Sequence, residues 1–209
     1  MSANDLLHRY LDDCPLIAIL RGISPEEAEA IGDAVYEGGI RILEVPFNSP
    51  DPLRSIELLS KRFGERALVG AGTVLDRADV ARVRDAGGRL IVSPDTNPEV
   101  VAATAAARMV SCPAFFTPSE AFTALRSGAT ALKLFPAEGA TPAMLKAQLA
   151  VLPKNVTVLI VGGIQPDNMR PWLDAGATGF GLGSGLYKPG QSPADTLQKA
   201  RAYVGGVGR

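Results

Sequence analysis

Eight short apolar runs, recurring every 20 residues or so and separated by helix-forming segments, organise the 209-residue chain. They are Leu16–Leu20, Ile40–Val45, Ala67–Val69, Leu90–Val92, Met109–Cys112, Ala131–Phe135, Val156–Val161 and Thr178–Leu182. Each is apolar almost throughout rather than alternating, as parallel strands covered on both faces are. Between the runs lie helix starts. Ser24-Pro25-Glu26-Glu27 sets a cap residue before proline and acids at the positive helix end. Ser49-Pro50-Asp51, Asn97-Pro98-Glu99, Thr117-Pro118-Ser119-Glu120, Thr141-Pro142 and Gln165-Pro166-Asp167 repeat the device, and Gly38-Gly39, Gly64, Gly87-Gly88, Gly128 and Gly176 mark helix ends. Eight βα units with no composition break or linker predict a (β/α)8 TIM barrel, a single domain over residues 1–209, in preference to an open doubly wound sheet. A short helix at about 4–12, capped by Asn4 or Asp5, precedes the first strand, and the glycine-rich tail 205–209 is expected to fray.

Composition narrows the function. The formal net charge of −1 gives no reason to expect a nucleic acid or an anionic membrane as partner. Cys14 and Cys112 lack metal-ligand spacing and read as small buried apolar residues in a reducing compartment. His8 is the only histidine, too few for a multi-histidine metal site and badly placed for a serine–histidine triad. The N-terminal stretch has no basic segment followed by an apolar core. No apolar run approaches the roughly 18 to 20 residues of a membrane span, so a cytoplasmic protein is expected.

In such a barrel the chemistry sits at the C-terminal strand ends and the loops after them. Two charged residues stand inside apolar runs there. Lys133 interrupts the sixth run and Glu44 the second. A buried lysine that sheds its charge is an imine-forming nucleophile, and a neighbouring carboxyl can move protons for it. The alternatives are a lysine that snorkels to water and a structural ion pair. Gly162-Gly163 after the seventh run and Gly183-Ser184-Gly185 after the eighth occupy the loops that bind phosphate in many barrels, although glycine also ends strands tightly. Arg21, just beyond the first run, suits a carboxylate or is an ordinary surface arginine. Thr73 offers a hydroxyl in a glycine turn or simply completes that turn. A phosphosugar isomerase or epimerase, and a non-catalytic barrel that binds phosphorylated ligands, fit the same pattern less well.

Leu-Glu-Val-Pro-Phe-Asn-Ser (43–49), Val-Gly-Ala-Gly-Thr-Val-Leu (69–75), Ile-Val-Ser-Pro (91–94), Leu-Lys-Leu-Phe-Pro-Ala-Glu (132–138) and Val-Gly-Gly-Ile (161–164) resemble the class I 2-keto-3-deoxy-6-phosphogluconate and -galactonate aldolases. The likeness runs from about Pro15 to Ser192, with the motifs in the family's order. It implies a homotrimer, a phosphorylated 2-keto-3-deoxy sugar acid as substrate, and a pyruvate imine with neither metal nor cofactor. Carried over, Lys133 is the imine lysine and Glu44 the acid/base. Thr73 contacts the substrate carboxylate with Arg21. Asn48, Pro94, Phe135 and Val161 line the substrate, and Gly162, Gly163, Gly183 and Ser184 hold its phosphate. Two departures point to the galactonate branch. Asn48 stands where the gluconate branch has an arginine, for which Arg21 looks like the replacement. Val161 stands where that branch has a threonine before the glycine pair.

Overall fold

The computed structural model describes residues 1–208. Eight parallel strands, β1 (Leu16–Ile19), β2 (Ile42–Pro46), β3 (Leu68–Gly72), β4 (Leu90–Ser93), β5 (Val110–Phe115), β6 (Leu132–Leu134), β7 (Val158–Val161) and β8 (Gly179–Leu182), pair in sequence order. The circle closes through β1 and β8, with Leu16 opposite Phe180 and Ala18 opposite Leu182. The expected (β/α)8 barrel is the fold, and the eight apolar runs are its strands with ends moved by a few residues. β2 and β3 reach further toward the loops than expected, and β5 runs on through Pro113 to Phe115.

Among the described residues the helices are α1 (Ala3–Leu11), α2 (Pro25–Glu37), α3 (Pro52–Phe63), α4 (Arg77–Asp85), α5 (Pro98–Ala106), α6 (Pro118–Arg126), α7 (Pro142–Leu149), α8 (Arg170–Asp174) and α9 (Pro193–Gly206). Capping fixes most of their starts. Thr117 and Glu120 form a reciprocal capping box on α6, Asn97 accepts the Glu99 amide at 3.0 Å, and Thr141 accepts the Met144 amide at 3.1 Å.

Four expectations are corrected. α1 is capped by Ser2, not Asn4 or Asp5: the Ser2 hydroxyl accepts the Asp5 amide and the Asp5 carboxylate accepts the Ser2 amide, both at 3.1 Å. α3 starts after Asp51, which turns the chain at φ 38°, while the Ser49 hydroxyl accepts the Gly22 amide at 2.9 Å and ties the first two βα loops together. Gln165-Pro166-Asp167 do not open a helix. Asn168 closes a turn there by accepting the Gln165 amide and donating to the Gly163 carbonyl, and α8 begins only at Arg170. The tail does not fray through Gly205 and Gly206, which end α9. Gly206 lies so close to the Pro166 carbonyl and to Met169 that a side chain would not fit. Arg209 lies outside the described residues.

α1 packs across the N-terminal end of the barrel. Leu6, Leu7, Tyr10 and Leu11 form one apolar cluster with the interior residues Ile17, Ile42, Leu68, Leu90, Val110 and Leu159. The Tyr10 hydroxyl donates to the Glu65 carbonyl at 2.9 Å, and His8 Nε2 lies 3.0 Å from Thr157 Oγ1. A second apolar layer, between the strands' outer faces and the helices, holds Leu16, Leu43, Val69, Ile91, Leu132, Ile160 and Phe180. Among the described residues no helix is long and apolar enough to cross a membrane.

Candidate active site

The period-two alternation of a strand decides which side chains enter the barrel. On β2, Leu43 and Val45 face the helices, so Ile42 and Glu44 face inward. On β6, Leu132 and Leu134 face outward and leave Lys133 inside. Cys112, Val92, Leu159 and Val161 join them from β5, β4 and β7. Glu44 is 2% exposed and Lys133 7% exposed.

The barrel makes room for the carboxylate by omitting side chains. A Cβ on Gly72, at the end of β3, would fall on the Glu44 carboxylate, and one on Gly181 would lie 2.7 Å from Val161 Cγ2. Gly72→Ala is therefore expected to displace Glu44, lowering kcat by at least about tenfold and stability by about 2 kcal/mol. Steady-state kinetics beside urea unfolding would check this, and wild-type kinetics in the folded variant would contradict it.

Burial sets the protonation chemistry. Loss of solvent pushes the Glu44 carboxyl up to about 7, against the opposing pull of the Lys133 and Arg21 charges. Burial lowers Lys133, with Glu44 acting in the opposite direction, and raises the Cys112 thiol to about 12. Glu44 Oε2 is buried with no hydrogen-bond partner. Beside it lies a cavity of about 10 Å³ bounded by Glu44, Cys112, Lys133 and Val161, room for about one water molecule. Lys133 Nζ sits 4.5 Å from the centre of the Phe135 ring, whose face favours a cation.

Above this pair opens a cavity of about 200 Å³ lined by Arg21, Phe135, Glu138, Val161, Gly162, Gly163, Gly183 and Ser184, among others. Ile19, Val161 and Gly181 border both spaces, so the deep pair and the glycine loops share a wall. Gly162 and Gly163 have φ of 116° and 64°, conformations open to glycine and strained for other residues. Arg21 Nη1 donates to Asn48 Oδ1 at 2.6 Å, so Asn48 holds the guanidinium at the rim. A wider cleft of about 370 Å³, near Ser60, Gly87 and Arg89, contains none of these residues.

The predicted residues thus fall into two groups. Lys133, Glu44, Arg21, Phe135, Val161, Gly162, Gly163, Gly183 and Ser184 surround the two adjoining spaces. Asn48, Thr73 and Pro94 follow β2, β3 and β4 and line neither space, although Asn48 anchors Arg21. Thr73 has φ 56°, unusual for a β-branched residue. Its neighbours fix it there, since the Gly72 carbonyl accepts the Phe47 amide and Ser93 donates to the Val74 carbonyl at 2.7 Å. A strained residue held this firmly at a barrel mouth is typical of a functional position. Three residues escaped the sequence reading: Gly72, Cys112 and Glu138. The alternation of inward positions along β5 was the available signal for Cys112. Among the described residues, no group of three or more His, Cys, Asp or Glu side chains could hold a metal ion.

A buried amine with a lowered pKa, beside a carboxyl poised near neutrality at the C-terminal mouth of a (β/α)8 barrel, defines a site equipped for carbonyl chemistry through a lysine. The family described as "Aldolase: KDPG and KHG aldolase" matches residues 7–201, and the chain belongs to it; it is an aldolase, a carbon–carbon lyase. Two relatives are similar over nearly their whole length. A probable 2-dehydro-3-deoxy-6-phosphogalactonate aldolase of Rhizobium meliloti (strain 1021) is 48% identical over 190 residues, 91% of this chain and 90% of its own. The 2-dehydro-3-deoxy-6-phosphogalactonate aldolase of Escherichia coli (strain K12) is 47% identical over 190 residues, 91% of this chain and 93% of its own. The solved native KDPGal structure superposes with a TM-score of 0.91 at 46% identity, covering 92% of this chain and 94% of that one.

Proposed function

We propose that the protein cleaves 2-dehydro-3-deoxy-6-phospho-D-galactonate to pyruvate and D-glyceraldehyde 3-phosphate through an imine on Lys133. The observation that carries the reading is the enclosure of Lys133 and Glu44 together at the barrel mouth, each with its charged form disfavoured by burial. Neutral Lys133 attacks the C2 ketone, and Glu44 supplies the proton that lets the carbinolamine lose water. Glu44, directly or through one water, then takes the C4 hydroxyl proton. The C3–C4 bonding electrons flow into the iminium, and the phosphorylated aldehyde departs. Protonation of the enamine at C3 and hydrolysis of the imine release pyruvate and restore the amine. In this reading Arg21 binds the carboxylate and Asn48 steadies it, Phe135 lines the site, Thr73 and Pro94 stand at the mouth just outside the two cavities and meet the substrate from there, and the 162–163 and 183–184 loops take the phosphate. The covalent lysine intermediate needs no metal or cofactor. The family resemblance further supports a homotrimer, and the sequence reading a cytoplasmic one.

Borohydride trapping tests the reading. With pyruvate present, reduction is expected to inactivate the enzyme and leave a single pyruvyl adduct on Lys133. Retained activity, or an adduct on another lysine, would sink the assignment.

The choice of galactonate over gluconate rests on the two relatives and on Val161, which borders both cavities where a hydroxyl would otherwise reach the substrate. Removing one hydrogen-bonding group beside C4 changes discrimination by about tenfold or more. Val161→Thr is accordingly expected to shift the kcat/KM ratio toward the gluconate epimer by about that factor, read with lactate dehydrogenase coupling on both substrates. A wild type that cleaves the gluconate epimer faster would overturn the branch assignment.

A further inference from the structure

The space over Gly162 and Gly163 is already occupied by a carboxylate. Glu138 lies on the single 3-10 turn Ala137–Gly139 that follows β6. A Cβ on Gly162 would fall on Glu138 Oε2 and lie 2.8 Å from its Cδ, and one on Gly163 would lie 3.0 Å from Glu138 Cγ. The Ala137 amide nitrogen is only 2.9 Å from the same position on Gly162, so the turn itself is packed on the β7 loop and aims the side chain. Glu138 and Arg21 are the charged residues among those lining this cavity, which therefore carries no net charge of its own. That is a weak seat for a phosphate dianion. Glycine is needed at 162 and 163 to admit Glu138, and the carboxylate it admits repels the ligand the loops are otherwise shaped to bind.

We propose that Glu138 gates the phosphate seat. In the free protein its carboxylate rests on Gly162 and Gly163. Phosphate binding requires that it withdraw, and its return speeds departure of the phosphorylated aldehyde. The inference rests on the assignment of these loops to phosphate made above. A like-charge contact a few ångström away in a half-solvated site weakens anion binding by about three- to tenfold.

Inorganic phosphate, used as an inhibitor of cleavage, is the probe, with unphosphorylated glyceraldehyde as the control ligand. In Glu138→Gln the Ki for phosphate is expected to fall about three- to tenfold. It should fall further in Glu138→Ala, which also removes the atoms that must move. The KM of the phosphorylated substrate should fall in parallel, the Ki for glyceraldehyde should stay constant, and the gain should shrink at high ionic strength. If phosphate competes in the wild type but both variants bind it equally or more weakly, the gate is wrong and the phosphate assignment stands. If glyceraldehyde tightens as much as phosphate, the variants merely open the cavity and the gate is again wrong. If phosphate competes in none of the three proteins, both readings fail.

Discussion

Lys133→Met is expected to abolish pyruvate release, lowering kcat on the order of 10⁴-fold or more, because the imine route is lost rather than slowed. The variant should take up no pyruvyl label on reduction. It should also be more stable than the wild type at pH 6. There Glu44 is mostly protonated, and the substitution replaces a buried amine of lowered pKa with an apolar chain of similar length. A gain of about 1 to 2 kcal/mol in chemical denaturation fits that argument. Activity within tenfold of the wild type would remove Lys133 from the mechanism. Lost activity together with lost stability would instead mark it as a structural group.

Glu44→Gln should separate catalysis from stability in a pH-dependent way. The folded-state pKa, about 7, lies above the 4.5 of an ordinary glutamate carboxyl. The carboxyl is thus easier to bury protonated, and ionising it costs stability. That cost is absent below the unfolded pKa, grows as pH rises, and is fully developed above the folded one. It amounts to about 3 kcal/mol at most. Glu44→Gln should therefore stabilise the protein clearly at pH 8 and little at pH 4.5. In the wild type, kcat/KM should fall as pH rises through about 7, where Glu44 loses the proton it must supply to carbinolamine dehydration, and the apparent pKa belongs to the Glu44–Lys133 pair. The variant should lose that limb and about 10² to 10⁴ in kcat. Equal pH profiles for the two proteins would assign the proton transfers elsewhere.

The barrel was legible because most units announce themselves twice, by an apolar run and by a cap residue followed by proline. Lys133 and Glu44 were legible for a related reason: a charge inside an otherwise apolar run is chemically conspicuous. The inward-facing glycines were not. When both faces of a strand are buried, inside and outside carry the same residue types, and nothing in Val-Gly-Ala-Gly marks Gly72 as the place where Glu44 needs room. Contacts between loops were equally hidden. Ser49 reads as a helix cap but serves Gly22, 27 positions away in the chain. Arg21 reads as a carboxylate ligand from its place after the first strand, but its anchoring by Asn48 beside the glycine loops appears only in the fold. Glu138 sits inside the most recognisable motif of the chain, and only folding brings it onto Gly162.

The apolar seal that α1 forms at the N-terminal end of the barrel has a kinetic corollary. With the lower end stoppered by Leu6, Leu7, Tyr10 and Leu11, the cavity that Arg21 lines opens at the opposite, C-terminal end, the side from which a ligand would reach Lys133 and Glu44. In the proposed reaction the three-carbon fragment stays covalently held on Lys133, while the phosphorylated aldehyde, seated at the outer glycine loops, is free to go. The products must then leave in a fixed order, aldehyde first and pyruvate second. Pyruvate should accordingly inhibit competitively against the sugar acid, and the aldehyde noncompetitively.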